Sequence, residues 1–395
     1  MPLILGIEST CDETAAAVVR DGVDVLSSVV ATQVELHAKY RGVVPEIASR
    51  AHIENILPVI QESLANAKCE LSQIDAIAVA HRPGLIGSLL IGVTAAKTLA
   101  WSLGKPLIGI DHVQAHLYSV TLDKARPEAE INRDGRYLFP PADSGTGANF
   151  PVETVEQRPE KIGTGGIYPP RDKIGTGGIY FPCVGLVVSG GHTALYEVRN
   201  WNEISLIGST IDDAVGEAYD KVAAILGLGY PGGPIIDSLA QQGNPKAVQF
   251  PRSMLGKDSL DFSFSGLKTA VLYHVRGVPG KLDERPSEMT EQHLRDVAAS
   301  FQRACIDTIV KKLDRAVRRT HAKSVIVGGG VSANRGLRAA LAKFAVPVHF
   351  PPVKYCTDNA AMSAGLAHVM LEERKTSPLD LDAITYSRYR AGEQR

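Results

Sequence analysis

With 395 residues, the chain is long enough for two or more domains, each with its own core. Its 44% apolar and 22% charged residues are those of an ordinary globular protein, and a net charge of −1 excludes a global field drawing it to nucleic acid or membrane. Five scattered cysteines (Cys11, Cys69, Cys183, Cys305, Cys356) with no C-x-x-C argue against a disulfide framework or a zinc ribbon and for a reducing compartment.

The chain opens directly on an expected strand, Leu3–Ile7, with no basic leader or cleavage site. No apolar run is expected to approach the roughly 18 residues that span a bilayer, so a cytoplasmic protein with no membrane contact is expected. The polar turn Glu8-Ser-Thr-Cys-Asp-Glu-Thr14 and a second strand, Ala15–Val19, make a hairpin whose tip suits a nucleotide phosphate or its metal. Residues 42–67 read as a helix, with Pro45 near its first turn and Ile53, Ile56, Leu57, Ile60 and Leu64 at helical spacing. A strand at Ile74–Val79 leads through a loop to a helix ending near Trp101. The strand Leu107–Ile110 then stops at Asp111, a natural N-cap. The helix it opens carries His112 and His116, four residues apart and on one face, so both imidazoles can reach one metal ion. Val113 stands where a zinc protease would carry its glutamate. The pair alone does not decide between a metal site and an accident of composition.

Residues 123–182 are rich in Gly, Pro, Arg and Glu and read as a mobile surface insertion. Lys161-Ile-Gly-Thr-Gly-Gly-Ile-Tyr168 returns as Lys173-Ile-Gly-Thr-Gly-Gly-Ile-Tyr180, too few copies for a solenoid. Strand character resumes at Val184–Val188 and runs into Ser189-Gly-Gly-His-Thr193 and a further strand, Ala194–Val198. This second hairpin has a tip small enough for backbone N–H groups to meet an anion. A helix is expected from Asp212 to about Leu226, then a tight turn at Gly229–Pro234, and a loop or short strand over Asp261–Lys268. A long amphipathic helix follows over Gln292–Arg319, then a strand at Ser324–Val327. Next come the loop Gly328-Gly-Gly-Val-Ser-Ala-Asn334, a helix to Phe344, a strand at Val346–Phe350, and a last helix opened by Cys356-Thr-Asp-Asn359. The cations Lys311, Lys312, Arg315, Arg318, Arg319, His321 and Lys323, with Arg388, Arg390 and Arg395, suit either a nucleic-acid patch or a solvated helix face with a basic tail. Two α/β halves, each led by a polar hairpin, suggest a nucleotide held between two lobes.

Six motifs in order make the sequence resemble the TsaD family (older names Gcp and YgjD). They are Gly6-Ile-Glu-Ser-Thr-Cys-Asp-Glu-Thr14, Gly42-Val-Val-Pro-Glu-Ile-Ala-Ser-Arg50, His112-x-x-x-His116, Ser189-Gly-Gly-His-Thr193, Gly328-Gly-Gly-Val-Ser-Ala-Asn334 and Cys356-Thr-Asp-Asn359. The resemblance implies a two-lobed actin-like fold, a duplicated RNase H-like unit with the nucleotide in the cleft. Its lobes would be residues 1–122 and 183–395, with about 350–395 supplying a third metal ligand and packing back on the first lobe. It implies a tRNA N6-adenosine threonylcarbamoyltransferase, which passes the threonylcarbamoyl group from threonylcarbamoyl-AMP to adenosine 37 and releases AMP. By the same resemblance His112, His116 and Asp358 hold one divalent metal, Fe(II) before Zn(II). Val187, Val188, Ser189, Gly190 and Gly191 surround the donor's phosphate and acyl part. Asp220 and Asp237 meet ribose, Gly233 gives close backbone approach, and Asn334 reads the adenine edge. Asp12 or Glu13, the latter favoured, would act as base or orient the amine. The implied partners are tRNA, a smaller paralogous TsaB-like subunit and a TsaE-like P-loop ATPase. Arg82, where the family usually has Gly, and the long insertion depart from the pattern. The alternatives are an actin-like-fold kinase, which leaves the histidine pair unexplained, a metalloprotease, which Val113 speaks against, and a scaffold without chemistry, which would lack the metal ligands.

Overall fold

The computed structural model describes residues 1–40, 42–123, 178–277 and 289–386. Two five-stranded sheets follow one plan. In the first, β1 (Leu3–Glu8), β2 (Glu13–Arg20) and β3 (Asp24–Thr32) form an antiparallel meander, and β4 (Ala76–Arg82) and β5 (Leu107–Asp111) add in parallel beyond β1. In the second, β6 (Cys183–Val188), β7 (Thr193–Asn200) and β8 (Glu203–Ser209) repeat the meander, and β9 (Ser324–Gly328) and β10 (Val348–His349) repeat the parallel pair.

The helices are α1 (Val34–Ala38), α2 (Pro45–Ala67), α3 (Ile86–Leu103), α4 (His112–Tyr118), α5 (Val215–Ile225), α6 (Gly232–Ala240), α7 (Ser265–Arg276), α8 (Glu291–Thr320), α9 (Arg335–Leu341) and α10 (Ala360–Glu372). Strand alternation assigns each sheet two cores. Leu5, Ile7, Ala16 and Val18 point outward to α2 and α3, while Ile4, Ala15 and Ala17 point inward. The inward core continues through Leu117 and Tyr118 of α4 and Ala361 and Ala364 of α10 to Val187 and Val198 of the second sheet. Beyond that sheet, Val184, Leu186 and Val188 face Phe301, Cys305 and Ile309 of α8. Small inward residues let α10 lie close against the first sheet: a Cβ at Gly6 would sit 2.3 Å from the Ala360 carbonyl oxygen. The two-lobed α/β architecture is the one the resemblance implies.

Several expectations need correction. β3 and β8 were not anticipated; both are edge strands whose half-exposed, polar sequences (Asp-Val-Leu-Ser-Ser-Val-Val-Ala-Thr32 and Glu-Ile-Ser-Leu-Ile-Gly-Ser209) lack a buried run. Asp261–Lys268 is no strand: after an isolated bridge at Phe262, α7 starts at Ser265. The expected strand at Val346–Phe350 shortens to Val348–His349. An 18-residue helix does reach membrane-spanning length: α3, with a mean hydropathy of 1.4. It lies on β4 and α2, with Leu89, Gly92, Val93, Ala96 and Ala100 buried. Most of the insertion, the first copy of its repeat and the arginines of the tail fall outside the described residues.

Candidate functional site

In both sheets the parallel strands run the same way, so their carboxyl ends open at one edge, the usual ligand side of such sheets. The β1–β2 tip (residues 9–12) and the β6–β7 tip (Ser189–His192) emerge there and face each other across a cleft of about 730 Å³. Asp12, Glu13, His112, Ser189, Gly190, Gly191, Asp220, Gly233, Asp237, Asn334 and Asp358 all line it. Val187 and Val188 do not. They lie in β6 with wholly buried side chains, so of the expected segment only Ser189–Gly191 reaches the cleft wall.

The metal set is assembled from two distant segments. The Asp111 carboxylate accepts from the Val113 and Gln114 N–H groups and so fixes the start of α4. Asp358 could itself have been an N-cap, but α10 is capped by Asn359, whose side chain accepts from Met362 N–H. Asp358 is thereby left to face the histidines, its Oδ1 lying 3.0 Å from His116 Nε2 and 3.6 Å from His112 Nε2. One donor atom from each of the three residues falls within 4.8 Å of the others. His116 is wholly buried; its Nδ1 has no hydrogen-bond partner among the described residues, and its Nε2 faces the Asp358 carboxylate at 3.0 Å. With Nε2 unprotonated, a ring lone pair is set against a carboxylate, a repulsion that a cation between these atoms would remove. Two neutral imidazoles and a carboxylate fit such an ion.

Glu8, wholly buried, was missed as a site residue although it stands inside the first motif. Its carboxylate lies 3.3 Å from His112 Nδ1 and also accepts from Thr10 N–H and Ser363 Oγ. With Nδ1–H turned to Glu8, the Nε2 lone pair is directed at the Asp358 side. Burial alone would lower His112, but Asp358 and Glu8 raise it to about 9. Burial would raise Asp358, whereas His112 and His116 hold it below the usual carboxylate range. His192, on the opposite tip with its ring 6.3 Å from that of His112, is pushed down to about 4 by burial and then by the two histidines.

Burial, then Asp358 and Asp12, push the Glu13 carboxyl well above its ordinary value. That shift favours the protonated form, and added positive charge nearby would oppose it. Burial and Asp12 likewise raise the Cys11 thiol, which is therefore no thiolate nucleophile.

At the other end of the cleft, Asp220 Oδ1 accepts from Gly232 N–H at 2.7 Å and so caps α6. Burial raises its carboxyl against that bond. A Cβ at Gly190, Gly191 or Gly233 would meet nothing within 4 Å, and none has a positive φ. The protein itself does not need glycine there; the open space lies on the cleft side. Asn334 caps α9 through its Oδ1, which accepts from Leu337 N–H.

Other candidates are absorbed into structure. Lys312 is buried and donates to the Met254 and Ser259 carbonyls, Arg315 donates to the Ser259 carbonyl, and Arg318 pairs with Asp314. Two cations of the basic run thus hold a loop and a third pairs within its own helix, and the run leads into the end of β9 away from the cleft. Lys268 pairs with Asp213, and Arg82 with Asp111. His52 braces the first hairpin, bonding Thr14 Oγ1 and the Cys11 carbonyl, while His37 bonds Gln33.

Fold and site together define a two-lobed nucleotide-cleft protein of the actin-like class with a candidate metal centre at the lobe boundary. Two solved structures share this fold: full-length HypF in its phosphate- and nucleotide-bound form (TM-score 0.52, 12% identity, 95% of this chain and 47% of that one) and HypF of T. kodakarensis (TM-score 0.50, 13% identity, 94% and 48%). The model of the family described as "TsaD: tRNA N6-adenosine threonylcarbamoyltransferase" matches residues 24–136 and 170–365. Relatives of that name from Symbiobacterium thermophilum and Rhodopirellula baltica are 45% and 44% identical, covering 97% and 96% of this chain and 95% of each relative. The chain belongs to the TsaD family.

Proposed function

We propose that the chain is an acyltransferase that moves the threonylcarbamoyl group from threonylcarbamoyl-AMP to N6 of adenosine 37 in tRNAs reading codons that begin with A. The observation that carries this reading is the meeting of His112, His116 and Asp358 at one end of a cleft whose other end offers Asp220, Asp237 and Asn334. N6 attacks the carbamoyl carbon, the C–N bond forms as the C–O bond to phosphate breaks, AMP leaves with the electron pair, and N6 gives up one proton. Backbone N–H groups of Gly190 and Gly191 receive the donor's phosphate, and the cleft walls hold both reactants in reach of one another. Asp12 and Glu13 face the reacting end, and one of the two carboxylates, Glu13 in preference, takes up the proton or orients the amine. A divalent cation, Fe(II) in preference to Zn(II), supplies Lewis-acid polarisation when held by His112, His116 and Asp358.

A TsaB-like paralogous subunit and a TsaE-like ATPase complete the proposed assembly, in the cytoplasm. Ile53 and Leu57 on α2, and Ile86 and Leu90 on the adjoining α3, are each about half exposed or more, an apolar area suited to a subunit contact. All five cysteines are free thiols, as a reducing compartment requires. The test is to incubate the protein and its partners with threonylcarbamoyl-AMP and an unmodified tRNA of that class, then digest and analyse the nucleosides. Threonylcarbamoyladenosine is expected; its absence, with ATP-dependent phosphorylation of a small alcohol instead, would favour the kinase reading and sink this one.

A further inference from the structure

Behind the nucleoside end of the cleft, a buried side chain that does not line it joins the two that do. Gln302 of α8 is 5% exposed. Its Nε2 donates to Asp237 Oδ1 at 3.1 Å, and its Oε1 accepts from Asn334 Nδ2 at 2.8 Å and from the Tyr219 hydroxyl at 3.4 Å. Arg335 Nε holds the other Asp237 oxygen at 2.8 Å.

The orientation of this relay is forced from both ends. An Asp237 carboxylate only accepts, so the Gln302 nitrogen has to face it, and the Gln302 oxygen then has to face Asn334. Asn334 must therefore turn its nitrogen inward, leaving its oxygen for the Leu337 N–H, which only donates. After these bonds Asn334 retains one N–H for the cleft, and Asp237 retains acceptor capacity.

We propose that Gln302 is a positioning residue that fixes the hydrogen-bond polarity of the nucleoside subsite. Through it, Asn334 offers a single donor to a ring nitrogen of the base and Asp237 offers acceptors to ribose hydroxyls. This rests on the nucleotide reading of the cleft given above. Gln302 touches no substrate; it determines what its two neighbours can recognise. The backbone is fitted to it as well, since a Cβ at Gly336 would lie 2.8 Å from Gln302 Nε2.

Two substitutions test the assignment, with AMP as the probe and calorimetry on the full-length protein from pH 5 to pH 8. Gln302→Met keeps the length of the side chain and removes the relay; AMP binding weakens roughly tenfold, the value of about one hydrogen bond to a charged group. Gln302→Glu keeps the acceptor for Asn334 but sets a carboxyl against Asp237, where the two must share a proton. Its Kd relative to the intact protein is expected near unity at pH 5 and about tenfold higher at pH 8, a pH profile that a packing role would not produce. Should Gln302→Met fail to fold, Gln302→Glu carries the test alone. A ratio within about twofold of unity for Gln302→Glu at every pH, or one that does not change with pH, overturns the proposal. Intact protein that binds no AMP overturns the nucleotide reading itself, and this inference with it.

Discussion

The two hairpin tips occupy equivalent places in sheets of identical strand order, yet they are chemical opposites. The first, flanked by Glu8 and carrying Asp12 and Glu13, surrounds itself with carboxylates and holds His112 by a buried oxygen. The second, Ser189-Gly-Gly-His192, closes through His192 N–H donating to Ser189 Oγ and presents two glycines with open space above them. On the proposed function, one tip is organised around a cation and the other around an anion. A duplicated scaffold thus brings complementary fields face to face, and the few residues of each tip, rather than the fold, decide which end of a substrate each receives.

The largest effect is expected where the cation side is broken outright. His116→Ala should leave bound metal at background by elemental analysis and abolish threonylcarbamoyl transfer while adenine nucleotide still binds, because His116 lies behind the cleft wall. Retained activity without metal would refute a cation-centred first tip. Glu8→Gln should act in the same direction more mildly. It removes the carboxylate that holds His112 Nδ1, and metal affinity should fall roughly 10- to 100-fold, read by competition with a chelating dye.

These residues also show what was legible beforehand. β1, β4, β6 and β9 run through the interior and read as continuous apolar runs, whereas β3 and β8 at the sheet edges carry no such signal. His112, His116 and Asp358 were found through motif order; spacing could offer only the first two. Glu8 stood in plain view but read as the first residue of a polar turn, because only the fold makes it the end of β1 and turns its side chain toward α4. Gln302 carried no mark, since a glutamine on an amphipathic helix is ordinary until Asp237 and Asn334 converge on it. Val187 and Val188 differ the other way: sharing a motif with Ser189–Gly191 does not put their side chains on the cleft wall, because they alternate within β6.

The anion side can be separated from the scaffold by two glycines. Gly6→Ala drives a Cβ into the Ala360 carbonyl, and neither strand nor helix can yield cheaply. A loss of about 1–3 kcal/mol, seen as a lower Tm, is expected. Gly191→Ala meets no protein atom, so Tm should be unchanged while the KM for threonylcarbamoyl-AMP rises, by roughly tenfold if one backbone contact to phosphate is lost. An unaltered KM would mean that the second tip does not receive the donor.

The smallest effect compares two histidine pairs, one in each lobe. His112, beside carboxylates, is raised, whereas His274 of α7, whose Nε2 lies 3.2 Å from His293 Nε2 of α8, is lowered below 6.5 by burial and then by His293. The Phe250 ring, 5.8 Å away, brings no charge to that pair. A histidine lowered in the folded state favours its neutral form there. Its contribution to stability is therefore complete above pH 6.5 and is lost as pH falls through the folded value. Between pH 7.5 and 5.5, the amides at the end of α7 and the start of α8 should exchange hydrogen faster once intrinsic rates are corrected, by a small amount because solvent screens this partly exposed pair. His293→Phe should remove that pH dependence without touching metal content. Should the acceleration persist in the variant, the pair is not its source, and the contrast between a histidine raised by carboxylates and one lowered by a neighbouring histidine loses its second half.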